Sequence, residues 1–132
     1  LTNPFAAAMN EIPKAVFTKK GYHPKTEDFA HNAKLPANSS WMNARVFDAG
    51  LIEGIKALKA EDGSPILAHG GAEFMRNLIE TGLIDEYHLV THPVALGTGL
   101  SIFNRLSECL DLKLVDVQVF PGGVVAHSYC PV

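Results

Sequence analysis

Apolar residues recur along this chain in two periods, and the switches between them mark its elements. Asn3 to Asn10 reads as a short helical or irregular lead-in. After Pro13, Lys14-Ala15-Val16-Phe17-Thr18 reads as a strand stopped by Lys19-Lys20-Gly21, and Asn43 to Phe47 as a second strand. Asp48 is placed to cap a helix whose Leu51, Ile52, Ile55 and Leu58 fall on one face, with Glu61-Asp62-Gly63-Ser64-Pro65 ending it. Ile66 to His69 is a third strand, stopped by Gly70-Gly71. The helix that follows turns Phe74, Met75, Leu78 and Ile79 inward, and Gly82 sits where a left-handed C-cap belongs. Tyr87 to His92 is a fourth strand, with Tyr87, Leu89 and Thr91 on one face and His88, Val90 and His92 on the other. Pro93 to Phe103 is a glycine-containing loop. Lys113 to Phe120 and Val124 to Cys130, joined by Pro121-Gly122-Gly123, form a closing hairpin.

Strand and helix in alternation, then a hairpin, predict an α/β fold with a mixed sheet, flanking helices and an antiparallel edge. With 132 residues, 47% of them hydrophobic, the chain suggests one core and a single domain over 1–132. Gly21 to Ser40, polar and carrying Pro24 and Pro36, is long for a connection, so it is either functional or loosely ordered. A formal net charge of −3 without a Lys/Arg block argues against a nucleic-acid surface. No apolar run approaches the roughly 18 residues of a membrane span, and no signal peptide is visible. Cys109 and Cys130 lack metal-ligand spacing and read as reduced thiols of a cytoplasmic protein, with one disulfide as the alternative.

The strongest candidate for chemistry is Ile66-Leu67-Ala68-His69-Gly70-Gly71-Ala72-Glu73-Phe74, a strand running straight into a helix N-terminus. Glycines let a ligand approach the backbone and permit dihedrals that a side chain forbids, and the helix behind offers N–H groups and a positive dipole end to a phosphate. From the glycine pair alone, a phosphate site and a tight turn that binds nothing are equally open. Thr18-Lys19-Lys20 at a neighbouring strand end would suit an extra phosphate such as the 2′-phosphate of NADPH, although a solvated basic strand end is the commoner meaning of such residues. Neither the Rossmann glycine spacing nor a Walker Gly-Lys-Ser/Thr is present. Gly97-Thr98-Gly99 is a weaker close-approach loop, more often a plain turn. His88 and His92 are too far apart to share a zinc ion, and His23, His31, His69 and His127 lack neighbours at ligand spacing, so no metal site is expected. Cys109 and Ser101 sit in no nucleophile turn. Thr91, at a strand end, could hold a proton-managing group or a water, against its ordinary role as a β-former.

Several segments together resemble a known family. Asn3-Pro4-Phe5 with Met9-Asn10-Glu11-Ile12-Pro13-Lys14-Ala15-Val16-Phe17-Thr18, the Gly63 to Ala72 segment, Leu83-Ile84-Asp85-Glu86-Tyr87, His92-Pro93-Val94-Ala95-Leu96-Gly97-Thr98-Gly99-Leu100-Ser101-Ile102-Phe103 and the Phe120 to Tyr129 hairpin carry the likeness. In this order they resemble the dihydrofolate reductase-like proteins related to the C-terminal, pyrimidine reductase domain of bacterial riboflavin biosynthesis. The resemblance covers nearly the whole chain, with a gap over Gly21 to Ser40.

The resemblance implies a dihydrofolate reductase-like mixed sheet and NADPH as cofactor. It places Thr18 and Lys19 at the adenosine 2′-phosphate. His69, Gly70, Gly71, Ala72, Glu73 and Phe74 fall on the pyrophosphate and nicotinamide side, with a cis peptide typical of the glycine pair, and Thr91 on the substrate side. It further implies a homodimer and a small-molecule substrate, either a heterocycle such as a ribosylamino-pyrimidine or a carbonyl-bearing sugar phosphate. Family members carry a first strand, a nicotinamide loop and a substrate-binding helix ahead of the segment that begins here at Asn3. The expectation is a fragment of a longer protein, or a second chain that fills the gap, with no catalytic residue to name on this chain. The competing reading keeps the fold as a non-catalytic nucleotide-binding or dimerisation module.

Overall fold

Pro4 opens α1 (Pro4–Glu11) from the helical position where a missing N–H costs nothing. The computed structural model describes residues 4–18 and 40–132, and the chain divides into two compact units, residues 1–61 and 62–132. Lys19, Lys20 and residues 21–39 of the Gly21 to Ser40 stretch lie outside the described residues.

In the first unit, α1 ends against Lys14. The ammonium donates to the carbonyls of Met9 at 2.5 Å and Ile12 at 2.7 Å and to Ser40 Oγ at 2.8 Å, while Ser40 Oγ donates to the Asn10 carbonyl. A cation there complements the negative end of the helix and occupies its orphan carbonyls. Trp41, in a 3-10 turn over Ser40–Asn43, lies under the ammonium at 5.7 Å from the ring centre. Partial burial pushes the Lys14 ammonium below its ordinary value.

β1 (Ala15–Phe17) runs parallel to β2 (Arg45–Phe47), and Phe17 stands opposite Phe47 with ring centres 5.0 Å apart. These stacked rings meet α2 (Leu51–Lys59) at Gly54, where a Cβ would lie 2.6 Å from Phe17 Cε1 and 3.0 Å from Phe47 Cδ1. Gly54 and Ile55 are buried and Leu51 and Leu58 half-buried, whereas Ile52 is exposed. The inward stripe is therefore 51, 54, 55 and 58, and Ile52, placed on that face by sequence, turns outward because it lies about 100° round from Leu51. Nor is Asp48 the cap: the N-cap of α2 is Gly50 at φ 126°, a backbone region closed to Asp, with no side-chain cap bond.

In the second unit, α3 (Ala72–Glu80) packs Leu78 and Ile79 into a small core with Tyr87. Burial raises the Tyr87 phenol above its ordinary value. The helix closes at Gly82, φ 65°, whose N–H donates to the Ile79 carbonyl. The Thr81 hydroxyl completes this end by donating to the Leu78 carbonyl at 2.6 Å and accepting the Leu83 N–H at 3.2 Å.

β3 (Tyr87–Thr91), β5 (Val125–Pro131) and β4 (Leu112–Val119) form an antiparallel sheet in the order β3-β5-β4. Tyr87, Leu89 and Thr91 lie opposite Tyr129, His127 and Val125, which stand opposite Leu114, Val117 and Val119, so these nine share one face. An irregularity at Val115 keeps Lys113 and Asp116 together on the other face. The hairpin turns through Pro121, Gly122 at φ 89° and Gly123 at φ 83°, the type II pattern with a second left-handed glycine.

The expected third strand does not form. Residues 65–71 carry no ladder pairing among the described residues and are exposed, with Ile66 and Leu67 facing solvent. An apolar run supplies strand propensity, but a strand also needs a partner, and within residues 62–132 the sheet is made by β3, β4 and β5 alone among the described residues.

Candidate functional site

Gly71 is the N-cap of α3, with φ −68° and ψ 165° and no side-chain cap bond. The first intrahelical bond runs from the Met75 N–H to the Gly71 carbonyl at 3.1 Å, so the N–H groups of Ala72 and Glu73 precede the helical ladder. Among the described residues, a Cβ at Gly71 would meet nothing within 4 Å. At Gly70 it would run into Phe74, whose Cβ and Cγ would lie 3.1 Å away. The glycine pair thus does two different things: Gly70 makes room for the Phe74 ring, and Gly71 leaves open the approach to the helix end.

Two expectations about this pair are corrected. Neither glycine has a positive φ, so the demand is for space and not for left-handed backbone. Their peptide bond is trans, like every other bond among the described residues. A non-proline cis bond costs about 2.5–4 kcal/mol and persists only where surroundings enforce it, and residues 65–71 are exposed and unpaired here.

The first two turns of α3 carry a charged network that sequence reasoning missed. Arg105 Nη2 donates to both Glu73 oxygens, at 3.0 and 2.9 Å, and Nη1 donates to Asn77 Oδ1 at 2.7 Å. Arg76 Nε donates to the Ser101 carbonyl at 2.8 Å, and its Nη1 lies 3.9 Å from Glu73. Phe103 sits against Tyr87 with ring centres 6.0 Å apart. Residues 101–105 are thereby tied to the helix that Gly71 opens. Glu73, Arg76 and Asn77 have the i, i+3, i+4 spacing of one helix face, which the sequence does display. Arg105 comes from 32 residues beyond Glu73, and no local pattern announces it.

The remaining candidates are distributed. Thr18 stands at the end of β1, half-buried, its N–H bonded to the Phe47 carbonyl at 3.0 Å, in the 1–61 unit. Lys19 lies outside the described residues. His69 is exposed just ahead of the glycine pair, and Ala72, Glu73 and Phe74 make the first turn of α3. Thr91 is the exposed last residue of β3, opposite Val125. His88 is engaged by Ser128 Oγ at 3.0 Å on Nδ1 and by Glu86 at 3.3 Å on Nε2. Gly97 has φ 74° in an exposed turn. Among the described residues no three His, Cys, Asp or Glu side chains gather as metal ligands. Cys109 and Cys130 are free thiols. No helix among the described residues is long and apolar enough to cross a membrane.

Parallel and antiparallel strands, helices and a C-terminal hairpin make this an α/β protein, with the dihydrofolate reductase-like fold of the two solved structures given below. The family described as the RibD C-terminal domain matches residues 1–126, and this chain belongs to that family. The chain is 30% identical over 145 residues to the uncharacterized protein YyaP of Bacillus subtilis, covering 95% of this chain and 77% of that one. It is 36% identical over 70 residues to the uncharacterized protein YwjB of the same organism, covering 53% of this chain and 40% of that one. Two solved structures share the fold. One is a Shewanella sp. PV-4 protein provisionally named for riboflavin biosynthesis, with TM-score 0.60 and 16% identity over 99% of this chain and 81% of that one. The other is a pyrimidine reductase-like protein of Corynebacterium diphtheriae, with TM-score 0.58 and 18% identity over 89% of this chain and 50% of that one.

Proposed function

We propose that the chain is the cofactor-binding part of a cytoplasmic, NADPH-dependent reductase of the riboflavin pyrimidine reductase type. The observation that carries this reading is the open N-terminus of α3 at Gly71, in a chain of this family. The residues present fit a pyrophosphate: the N–H groups of Ala72 and Glu73 precede the helical ladder, the dipole is positive at that end, and among the described residues no side chain stands over Gly71. The Glu73 carboxylate opposes an anion in that turn, and Arg105 neutralises it.

In this reading His69 to Phe74 hold the pyrophosphate side, and Thr18 with Lys19 select the 2′-phosphate. When bound, the nucleotide supplies the hydride, and the protein positions it and excludes water. Thr91 serves the substrate side, and the substrate is a ribosylamino-pyrimidine or a similar small heterocycle. A second copy is the proposed partner. Supporting it, β4 is an edge strand among the described residues, and Leu114, Val117 and Val119 are exposed on one face. Sedimentation at twice the chain mass tests this partner, and a monomer at all concentrations overturns it.

The test of function is a fluorescence titration with NADPH and NADH. The reading expects saturable NADPH binding with a clear preference over NADH. Equal, millimolar-weak binding of both overturns it.

A further inference from the structure

Glu73 poses an electrostatic problem at the helix end just described. A carboxylate in the first turn is favourable to the helix itself, but it repels any second anion brought to the same N–H groups. The structure sets Arg105 against it in a particular place. One guanidinium nitrogen takes both Glu73 oxygens, and another takes Asn77 Oδ1. Residues 73 and 77 are one turn apart on the same face, so the guanidinium lies alongside the helix and draws the carboxylate back towards the second turn. The segment that delivers Arg105 is held at two further points, by Arg76 at the Ser101 carbonyl and by Phe103 at Tyr87. Arg76 is itself half-buried, with its side chain 12% exposed, so this anchorage is part of the packing.

Resting on the cofactor reading above, we propose that Arg105 is a positioning residue for the nucleotide site. It acts through Glu73, neutralising that carboxylate and holding it clear of the open end of α3. The Glu73 side chain is then no contact of the cofactor, unlike its backbone N–H, but a charge that must be masked before the cofactor's phosphates approach. The 101–105 segment thereby belongs functionally to the site although it comes from beyond β3.

The experiment is NADPH titration of the intact protein and of three variants. Arg105→Gln should bind NADPH about fivefold more weakly, the scale of one exposed charge near a helix end. Glu73→Gln keeps the backbone N–H that meets the phosphate and removes only the opposing charge, so it should bind NADPH at least as tightly as the wild type. The double variant Glu73→Gln/Arg105→Gln should recover most of the loss, which a merely structural role for Arg105 would not allow. A double variant as weak as Arg105→Gln alone overturns the proposal, since Arg105 then acts independently of Glu73, by contact with the phosphate or by holding the fold. A weakened Glu73→Gln overturns it too, and this variant decides the matter if Arg105→Gln does not fold. Wild-type affinity in Arg105→Gln removes the positioning role but leaves the cofactor reading standing. A wild type that binds no NADPH overturns the cofactor reading and the positioning role with it.

Discussion

A methyl group added at residue 71 and one added at residue 70 should have opposite consequences, although the two glycines are adjacent. At Gly71 the backbone, φ −68° and ψ 165°, is one that alanine adopts freely, and the new carbon meets nothing within 4 Å. Gly→Ala at a compatible position gains about 0.4–1 kcal/mol from the unfolded chain. Alanine is a poorer N-cap than glycine by a comparable amount, so the net change in stability should stay within about 0.5 kcal/mol. At Gly70 the methyl collides with Phe74, and overpacking of this kind costs about 1–3 kcal/mol. Set against the same chain-entropy gain, Gly70→Ala should lose about 1–2 kcal/mol. At about 4 °C per kcal/mol for a chain of this size, its melting midpoint should fall by about 4–8 °C, while that of Gly71→Ala moves by about 2 °C or less. Binding should show the reverse pattern. Gly71→Ala fills the approach to the helix N-terminus and should weaken NADPH by about tenfold or more, equivalent to about 1.4 kcal/mol. Differential scanning fluorimetry and an NADPH titration on both variants check this. A Gly71→Ala protein that binds NADPH as the wild type does would exclude this helix end from the site, and one that melts as early as Gly70→Ala would show that the methyl is not accommodated at residue 71.

Gly54→Ala should destabilise by about 1 kcal/mol or more in urea unfolding despite a helix-propensity gain of about 1 kcal/mol, because the methyl would sit 2.6 Å from the Phe17 ring. An increase in stability would show that the stacked phenyl pair yields freely. Gly82→Ala should cost about 1 kcal/mol, since φ 65° strains any residue with a Cβ, and a thermal midpoint at the wild-type value would contradict this. The pH dependence has two limbs. Burial raises the Tyr87 phenol, so its contribution is complete below pH 10.0 and is lost as pH rises towards the folded value, and Tyr87→Phe should flatten that alkaline fall. The hydrogen bond from Arg45, 2.7 Å to Oε2, lowers the Glu61 carboxyl, so its contribution is present above pH 4.5 and is lost as pH falls through the folded value. Glu61→Gln should remove that part of the acid limb.

What the sequence displayed was local chemistry. Phe74, Met75, Leu78 and Ile79 face inward because helical spacing alone decides it, and Gly82 and Pro121-Gly122 mark turns whose backbone needs those residues. What it hid was pairing across the chain. Ile66 to His69 has the composition of a strand, yet strand formation depends on a neighbour that composition does not name. Asp48 looked like a cap, but the chain enters α2 through Gly50 at a dihedral that only glycine tolerates. Ile52 was grouped with the buried stripe because Gly54, a residue of no hydrophobic weight, holds the central place under Phe17 and Phe47. At the site, the glycine pair was visible, but its division of labour was not, since that depends on where the Phe74 ring lies. Arg105 was invisible for the same reason, as only the fold brings it to Glu73 and Asn77.

In the proposed function the Gly71-led end of α3 receives the nucleotide's phosphates. Amide chemical-shift mapping during an NADPH titration reads that end directly. The backbone N–H resonances of Gly71, Ala72 and Glu73 should shift most, saturate together and move less with NADH. Resonances at these three residues that stay in place while NADPH binds elsewhere would contradict it.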